Sequence, residues 1–359
     1  MLNHPDIQRN WTEWSEKETL NVAVAYSNPF RWRTRRELLN DFRRHMNAQP
    51  NVKLFIGELA YGDRPFEVTP ESPNDVQLRT NHELWHKENI LNSVIQRFPT
   101  DWKYGAWIDG DFTFTRHDWA FEAIQLLQHY DFVQLFSSYT DLSGETATSW
   151  VGQRPYRMNS SFAWNYLHQE TFKKEMDRRK MEAMSGKDSY YAKLPQTKDF
   201  PFGLPPGATG GAWAFRREAF NTVGGLLDIC ILGSADWHMA FGLIEAVNVA
   251  SEMKRCTEPY VNAVLNWQRR AAKLTRNIGC VDQHCIHHWH GSKSKRAYGE
   301  RWNVLKKHDF NPLTDISRDW QGIWQLNGNK PRLRDDLRRY FIERDEDDCN
   351  LYGSEKALV

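Results

Sequence analysis

The sequence has few cysteines and no long apolar run, and these absences exclude several classes of protein. Its five cysteines are an odd number and lie far apart, so they predict no disulfide framework. No apolar stretch approaches the ~20 residues that span a bilayer, and the N-terminus lacks the basic-then-apolar pattern of a signal peptide. We therefore expect a cytoplasmic protein.

An excess of charge of one sign is missing as well. The 47 basic and 46 acidic residues leave a net charge of +1, which disfavours a protein that simply coats nucleic acid. No Gly-x-Gly-x-x-Gly follows the first predicted strand, which disfavours a dinucleotide-binding dehydrogenase. By contrast, the 16 tryptophans are numerous. We expect most of them in the core, and a few as platforms for sugar rings or bases.

Strands and helices alternate along the first 140 residues. Short apolar, β-branched segments predict strands at 20–26, 51–59, 104–108 and 131–137. Apolar residues at helical spacing predict helices at 34–46, 85–98 and 117–129, whereas the proline-containing stretch 60–80 reads as a loop. This alternation predicts an α/β fold with a mixed, mainly parallel sheet flanked by helices. Ligands of such sheets bind beyond the carboxyl ends of the strands.

Composition divides the chain into an irregular N-terminal arm (1–19), one large domain (20–297) and a charged, helical C-terminal extension (298–359). Within the domain, 141–206 is polar and loop-rich, with a helix predicted near 170–185. Long segments of this kind often lie beside an active site, so we expect an acceptor-side insertion or lid.

The end of the third strand carries the first candidate site, Asp109-Gly110-Asp111. If the strand continues, both carboxylates share one face, and a divalent cation removes their repulsion. Such oxygen ligands suit Mg²⁺ or Mn²⁺, which bridge the oxygens of a diphosphate. The alternative is a turn in which the aspartates cap the next helix.

Histidines and cysteines concentrate at 280–291. On a strand, His288 and His290 face the same way, so either is a candidate third ligand beside Asp109 and Asp111. The spacing does not match a zinc finger or ribbon, and histidines without a ligand role remain the alternative.

Further candidates lie in the middle of the chain. Gly210 and Gly211 allow backbone to approach a ligand closely. Asp236 begins a predicted helix, where it serves either as the N-cap or as a general base toward an acceptor hydroxyl.

After the first strand, Ser27-Asn28 is followed by a basic run from Arg31 to Arg36. One or two of its arginines, Arg31 and Arg33 foremost, are candidates to pair with a diphosphate. The others solvate the helix start.

Together these motifs resemble the GT-A glycosyltransferases, and within them the β-1,4-galactosyltransferase-like and polypeptide N-acetylgalactosaminyltransferase-like group. The resemblance covers roughly 20–292. It rests on the order of the Asn28–Arg33 turn, the Lys87–Asn92 segment, Asp109-Gly110-Asp111, the 210–225 glycine segment, Asp236 and His290. It departs from the family at Ala235, where the family has a Glu, and in lacking a membrane anchor, so it is most similar to a bacterial or phage cytosolic member.

The resemblance implies that Asp109, Asp111 and His290 (or His288) hold Mn²⁺ or Mg²⁺ and that Asp236 is the catalytic base of an inverting transfer. It further implies that a nucleotide sugar, with a UDP-sugar expected, binds the residues Ser27, Asn28, Arg31, Arg33, Asn89, Asp109, Gly210 and Gly211. The acceptor stays open between a glycan and a hydroxymethylated DNA base. In the latter case a phage enzyme acts in the host cytoplasm. A non-catalytic nucleotide-sugar or carbohydrate-binding protein is the alternative.

Overall fold

The computed structural model describes residues 18–69, 72–143, 154–184, 206–247, 256–275, 278–293, 295–296 and 301–348. The strands are β1 (Leu20–Ser27), β2 (Val52–Tyr61), β3 (Val76–Thr80), β4 (Tyr104–Ile108), β5 (Phe112–Phe114), β6 (Phe132–Gln134), β7 (Ser138–Ser143), β8 (Arg154–Ser160), β9 (Ala212–Arg216), β10 (Ile278–Cys280), β11 (His284–His287), β12 (Ile316–Arg318) and β13 (Trp324–Leu326). The helices are α1 (Arg33–Asn47), α2 (Lys87–Ile95), α3 (Trp119–Leu126), α4 (Phe162–His168), α5 (Glu170–Met184), α6 (Arg217–Val223), α7 (Ala235–Leu243), α8 (Glu258–Ala271), α9 (Arg301–Lys307) and α10 (Pro331–Glu343).

The central sheet has the order β10-β6-β9-β4-β1-β2-β3. Its strands pair in parallel except β9, which is antiparallel to both β4 and β6. Successive side chains of β1 enter different cores: Val22 and Val24 pack in the cluster that includes α1 and α3, and Ala23 packs in the one that includes α2 and α7. The predicted mixed, mainly parallel sheet flanked by helices is confirmed.

The edge strand β3 lies in the stretch that we expected to be a loop. It pairs in parallel with β2, and Val76, Leu78 and Thr80 are its buried residues. Its two apolar residues give only a weak strand pattern, so the neighbouring prolines led to the prediction of a loop. Of the 13 tryptophans among the described residues, six are buried, Trp107, Trp119, Trp213 and Trp267 among them, so fewer lie fully in the core than expected.

A second sheet, β5-β11-β7-β8, brings the histidine-rich segment to the end of β4. β11 is antiparallel to β5 and parallel to β7, so His287 pairs with Phe112 on one side and with Asp141 on the other. The strand ends at His287, so His288 and His290 lie beyond it rather than on a strand as the sequence suggested. Strand alternation therefore does not place His288 and His290 on one face.

The described part of the C-terminal segment, 301–348, combines α9 and α10 with the hairpin β12–β13. Its apolar residues Leu333, Leu337 and Phe341 belong to the same core cluster as Ile90 of α2.

Within 141–206, α5 matches the predicted helix near 170–185. Residues 1–17, 144–153, 185–205 and 349–359 lie outside the described residues. No described helix combines the length and apolar character needed to cross a membrane.

Asn89 joins α2 to the hairpin. Its Oδ1 accepts a hydrogen bond from Trp324 N at 2.9 Å, and its Nδ2 donates to the carbonyl of Gly322 at 3.0 Å. Asn89→Ala leaves the Trp324 amide unpaired and removes one of the two donors to the Gly322 carbonyl, which also accepts from Arg318. We expect it to lower the free energy of unfolding by about 1–3 kcal/mol in urea titrations. Asn221→Ala, at an exposed position of α6, is the control. Unchanged stability together with weakened ligand binding would contradict this structural role.

Candidate active site

A cleft opens beyond the carboxyl ends of β1 and β4, where sheets of this class bind ligands. It consists of an inner cavity of about 220 Å³ and an outer cavity of about 500 Å³, which share Asp109, Asp236 and Arg301. The inner cavity is lined by residues that include Ser27, Arg35, Lys87, Glu88, Asp111, His290 and Glu346. The outer cavity is lined by residues that include Tyr139, Asp141, Gly210, Gly211, Trp237, Lys293 and Trp302.

Three side chains converge at the inner cavity. Asp111 Oδ2 lies 3.0 Å from His290 Nε2 and 3.8 Å from His287 Nε2, and the two ring nitrogens are 3.4 Å apart. The second carboxylate oxygen, Asp111 Oδ1, is buried and has no hydrogen-bond partner among the described residues. One carboxylate and two imidazoles around a common point form a donor set for a divalent cation.

The other nitrogen of each imidazole faces a carboxylate. His287 Nδ1 lies 2.7 Å from Asp141 Oδ1, and His290 Nδ1 lies 3.8 Å from Glu346 Oε2. Carboxylates behind metal-binding histidines fix the orientation of the ring and raise the basicity of the ligand. Both rings therefore present Nε2 to Asp111.

The charges of this cluster are strongly coupled. Burial opposes the ionisation of Asp111, but His290 and His287 hold its pKa well below the ordinary value. Burial also opposes a charge on His287, but Asp111 and Asp141 raise its pKa to about 9. The cluster thus keeps a proton on an imidazole at neutral pH, and a bound cation would displace it.

Asp109 does not join Asp111. β4 ends at Ile108, and a turn follows in which the amide of Phe112 donates to the carbonyl of Asp109. The two carboxylates are thus not alternate residues of one strand, as the sequence pattern suggested. Asp109 Oδ1 instead lies 2.5 Å from Lys87 Nζ.

The first turn of α2 brings Lys87 and Glu88 into the inner cavity. Burial disfavours the Lys87 ammonium, but the carboxylates of Asp109, Glu88 and Asp236 raise its pKa above the ordinary value. Glu88 is only 3% exposed, and burial raises its pKa to about 8 although Lys87 opposes the shift. The turn therefore contributes one cation and one carboxyl that is neutral at neutral pH.

Asp236 lies at the boundary of the two cavities, at the second residue of α7. Its Oδ1 accepts a hydrogen bond from the amide of Trp237 at 2.9 Å. A Cβ at position 210 would overlap the Asp236 carboxylate, and one at 211, where φ is +91°, would lie 2.8 Å from the ring of Phe112. Gly210 and Gly211 are thus required beside the outer cavity, and the space they leave is occupied by these side chains.

The residues after β1 that were predicted to bind the nucleotide do not all lie in the cleft. Ser27 lines the inner cavity, and Asn28 is buried and holds its own turn through hydrogen bonds with the backbone of residue 32. Arg31 and Arg33 are exposed and do not line either cavity. Arg35, from the same basic run, faces the inner cavity instead.

Two further candidates lie outside the cleft lining. Asn89 belongs to the contact with the hairpin described above. His288 Nε2 lies 2.8 Å from Thr113 Oγ1, and burial lowers the pKa of this histidine to about 4. His288 is therefore not among the three converging donors, and His287 takes the place expected of it.

Sequence reasoning missed His287, Arg35, Lys87, Glu88 and Glu346. His287 has a usable signal, because it precedes His290 by three residues at the end of a strand. Lys87 and Glu88 lie in a segment that the resemblance had singled out. Glu346 has no local signal, since only the packing of the C-terminal segment brings it behind His290.

The raised pKa of Glu88 predicts a pH-dependent stability. Because the folded pKa of about 8 exceeds the ordinary value of ~4.3, the stability contributed by the neutral form is complete below ~4.3 and is lost as the pH rises through about 8. Glu88→Gln stays neutral, so we expect it to raise the melting temperature relative to the wild type at pH 9 and much less at pH 5. Glu218→Gln, at the exposed second residue of α6, is the control. An equal shift at both pH values would contradict the expectation.

No protein-family model and no curated protein matches the chain. Among solved structures, it is similar to a protein from Desulfovibrio desulfuricans G20 that is described provisionally as a nucleotide-diphospho-sugar transferase. The TM-score is 0.33 and the identity 12%, over 81% of this chain and 95% of that one.

Proposed function

We propose that this chain is a metal-dependent glycosyltransferase that moves a sugar from a nucleotide-sugar donor to an acceptor hydroxyl with inversion. The observation that carries the proposal is the convergence of Asp111, His287 and His290 in a cleft that is also lined by the carboxylate of Asp236. The resemblance of the sequence to GT-A glycosyltransferases supports it.

The donor set fits a divalent cation, because Asp111 Oδ1 is buried without a hydrogen bond and both ring nitrogens face Asp111. Two imidazoles favour Mn²⁺ over Mg²⁺, which prefers oxygen ligands. When bound, the cation supplies charge stabilisation for the departing nucleoside diphosphate. Asp109, paired with Lys87, then serves to hold that lysine rather than to bind the metal.

Lys87 would hold the rest of the diphosphate, because it lines the inner cavity together with the three converging donors. Arg35 lines the same cavity, but its guanidinium already donates to Glu346 and to the carbonyl of Ser27. Charge-assisted hydrogen bonds from such groups position a phosphate and neutralise the charge that develops on it. Of the residues predicted to bind the nucleotide, Ser27 lines the inner cavity and would contact it there. We expect a UDP-sugar as donor.

Asp236 would act as the general base. Because it borders both cavities, a donor sugar in the inner cavity and an acceptor in the outer cavity would meet at its carboxylate. There it would accept the proton of the acceptor hydroxyl as that oxygen attacks the anomeric carbon from the side opposite the diphosphate. Attack from the opposite face inverts the configuration.

The outer cavity would receive the acceptor. Tyr139 and Trp237 offer aromatic surfaces, and Lys293 adds a cation. This lining suits either a saccharide ring or a hydroxymethylated DNA base, because both stack on aromatic faces. A steep salt dependence of DNA binding would favour the base. On the resemblance, we place the enzyme in the cytoplasm of a bacterium or a phage-infected host.

Loss of any one converging donor should strongly weaken metal binding. We expect Asp111→Ala, His287→Ala and His290→Ala each to weaken Mn²⁺ binding by at least 100-fold in calorimetric titrations, because second-sphere changes alone cost 10–100-fold. His288→Asn, which keeps a polar group near Thr113, should bind Mn²⁺ like the wild type. Tight binding by the Asp111 variant, or loss of binding in the His288 variant, would refute the assignment.

Removal of the base should separate binding from transfer. Asp236→Asn should still be stabilised by the UDP- or GDP-sugar that raises the melting temperature of the wild type with Mn²⁺, while transfer falls by about 10²–10⁴-fold. Asp282→Asn, at an exposed position, is the control and should transfer normally. Full activity of Asp236→Asn would exclude it as the base. Donor binding by a wild type that transfers or hydrolyses nothing would favour the non-catalytic binding protein.

A further inference from the structure

Glu88 is a carboxyl in the cleft for which the proposed mechanism has no use. It is 97% buried, with 3% of its surface exposed, and it lines the inner cavity. Among the described residues, no other residue donates a hydrogen bond to its carboxyl group. It contributes nothing to the three converging donors, and the Lys87–Asn92 motif in which it lies gave it no role.

Two other buried glutamates, Glu58 and Glu346, are satisfied by the protein itself. Glu58 accepts hydrogen bonds from the amides of Val68 and Thr69 and from the hydroxyl of Thr69. Glu346 is held by Arg344, with a distance of 2.7 Å, and by Arg35. A buried polar group without such partners is costly, so its occurrence in a cavity indicates that a ligand completes its hydrogen bonds.

The surroundings of Glu88 define the part of the ligand that it meets. Its charged neighbours are Lys87, Asp236 and Asp109. It lines the same space as Lys87, proposed to hold the diphosphate, and Asp236, proposed to accept the proton of the acceptor hydroxyl. Under the proposed function, that space holds the transferred group, which in a sugar is rich in hydroxyls.

We propose that Glu88 is the specificity-determining residue for the transferred sugar and that its carboxyl forms hydrogen bonds with a hydroxyl of that sugar. This inference rests on the proposed function. Because burial raises the pKa of Glu88 to about 8, the group is neutral at neutral pH and both donates to and accepts from a hydroxyl. A sugar whose hydroxyl has the opposite configuration at that carbon would leave the carboxyl of Glu88 without its hydrogen bond. A site built to bind one hydroxyl discriminates between sugars in this way.

The test compares the affinity for a nucleotide sugar with that for the nucleotide alone, by calorimetry with Mn²⁺. The probes are UDP, UDP-glucose, UDP-galactose and UDP-N-acetylglucosamine, with GDP and GDP-mannose in parallel. For the sugar that the wild type binds best, Glu88→Ala should lower the ratio of the two affinities about 10- to 100-fold, while the affinity for the nucleotide alone stays within about twofold. Glu218→Ala, at the exposed second residue of α6, should leave the ratio unchanged.

Glu88→Gln provides a second readout that is independent of whether the alanine variant folds. It keeps the shape and much of the hydrogen bonding, so the ratio should fall less than in Glu88→Ala and the ranking of the UDP-sugars should change. A wild-type ratio and ranking in a folded Glu88 variant would overturn the inference alone. Loss of transfer in a Glu88 variant without any change in the ratio of the two affinities would also overturn the inference, because Glu88 would then be the base. Failure of the wild type to bind any of the nucleotides would overturn the proposed function as well.

Discussion

The buried negative charge of Asp111 is the constraint on which the cleft depends. Alone, this carboxylate would be expensive to bury, and Asp109, Asp236 and Glu88 lie in the same cleft. The fold offsets the repulsion locally, because His287 and His290 face Asp111 and Lys87 faces Asp109. These partners come from β11, the turn after it and α2. Their packing, rather than any one motif, therefore determines the electrostatics of the site.

The second sheet and the C-terminal segment complete this arrangement from behind. Asp141 of β7 orients His287, and Glu346 lies behind His290 while Arg35 and Arg344 neutralise it. Burial opposes the charge on Glu346, but the two arginines hold its pKa well below the ordinary value. The C-terminal segment contributes apolar residues to the core, and its Phe341, Arg344 and Glu346 line the inner cavity. The inner cavity is therefore complete only when this segment packs onto the rest of the domain.

The two cavities divide the proposed reaction between them. The inner one has the donors for a cation, Lys87 for a diphosphate and Glu88 for a sugar, whereas the outer one offers aromatic and basic residues to an acceptor. Asp236 lies where they meet, and Gly210 leaves the space that its carboxylate occupies. One consequence of this polar cleft is that it contains a buried carboxyl, Glu88, and burial favours its neutral form. Such a residue is explained more readily by binding a ligand than by stabilising the fold.

The sequence by itself determined the α/β architecture and two of the converging donors. Apolar, β-branched segments are buried in the core, and a polar residue just after such a strand lies at the edge of the sheet, which made Asp111 visible. Asp236 was visible because it begins a predicted helix after the glycine segment. His290 was visible from the order of motifs. Only the tertiary structure decided that His287 replaces His288, that Asp109 pairs with Lys87, and that Asn89 holds a hairpin. These outcomes depend on where a strand ends and on which distant segments pack together, and such contacts leave no periodicity in the sequence.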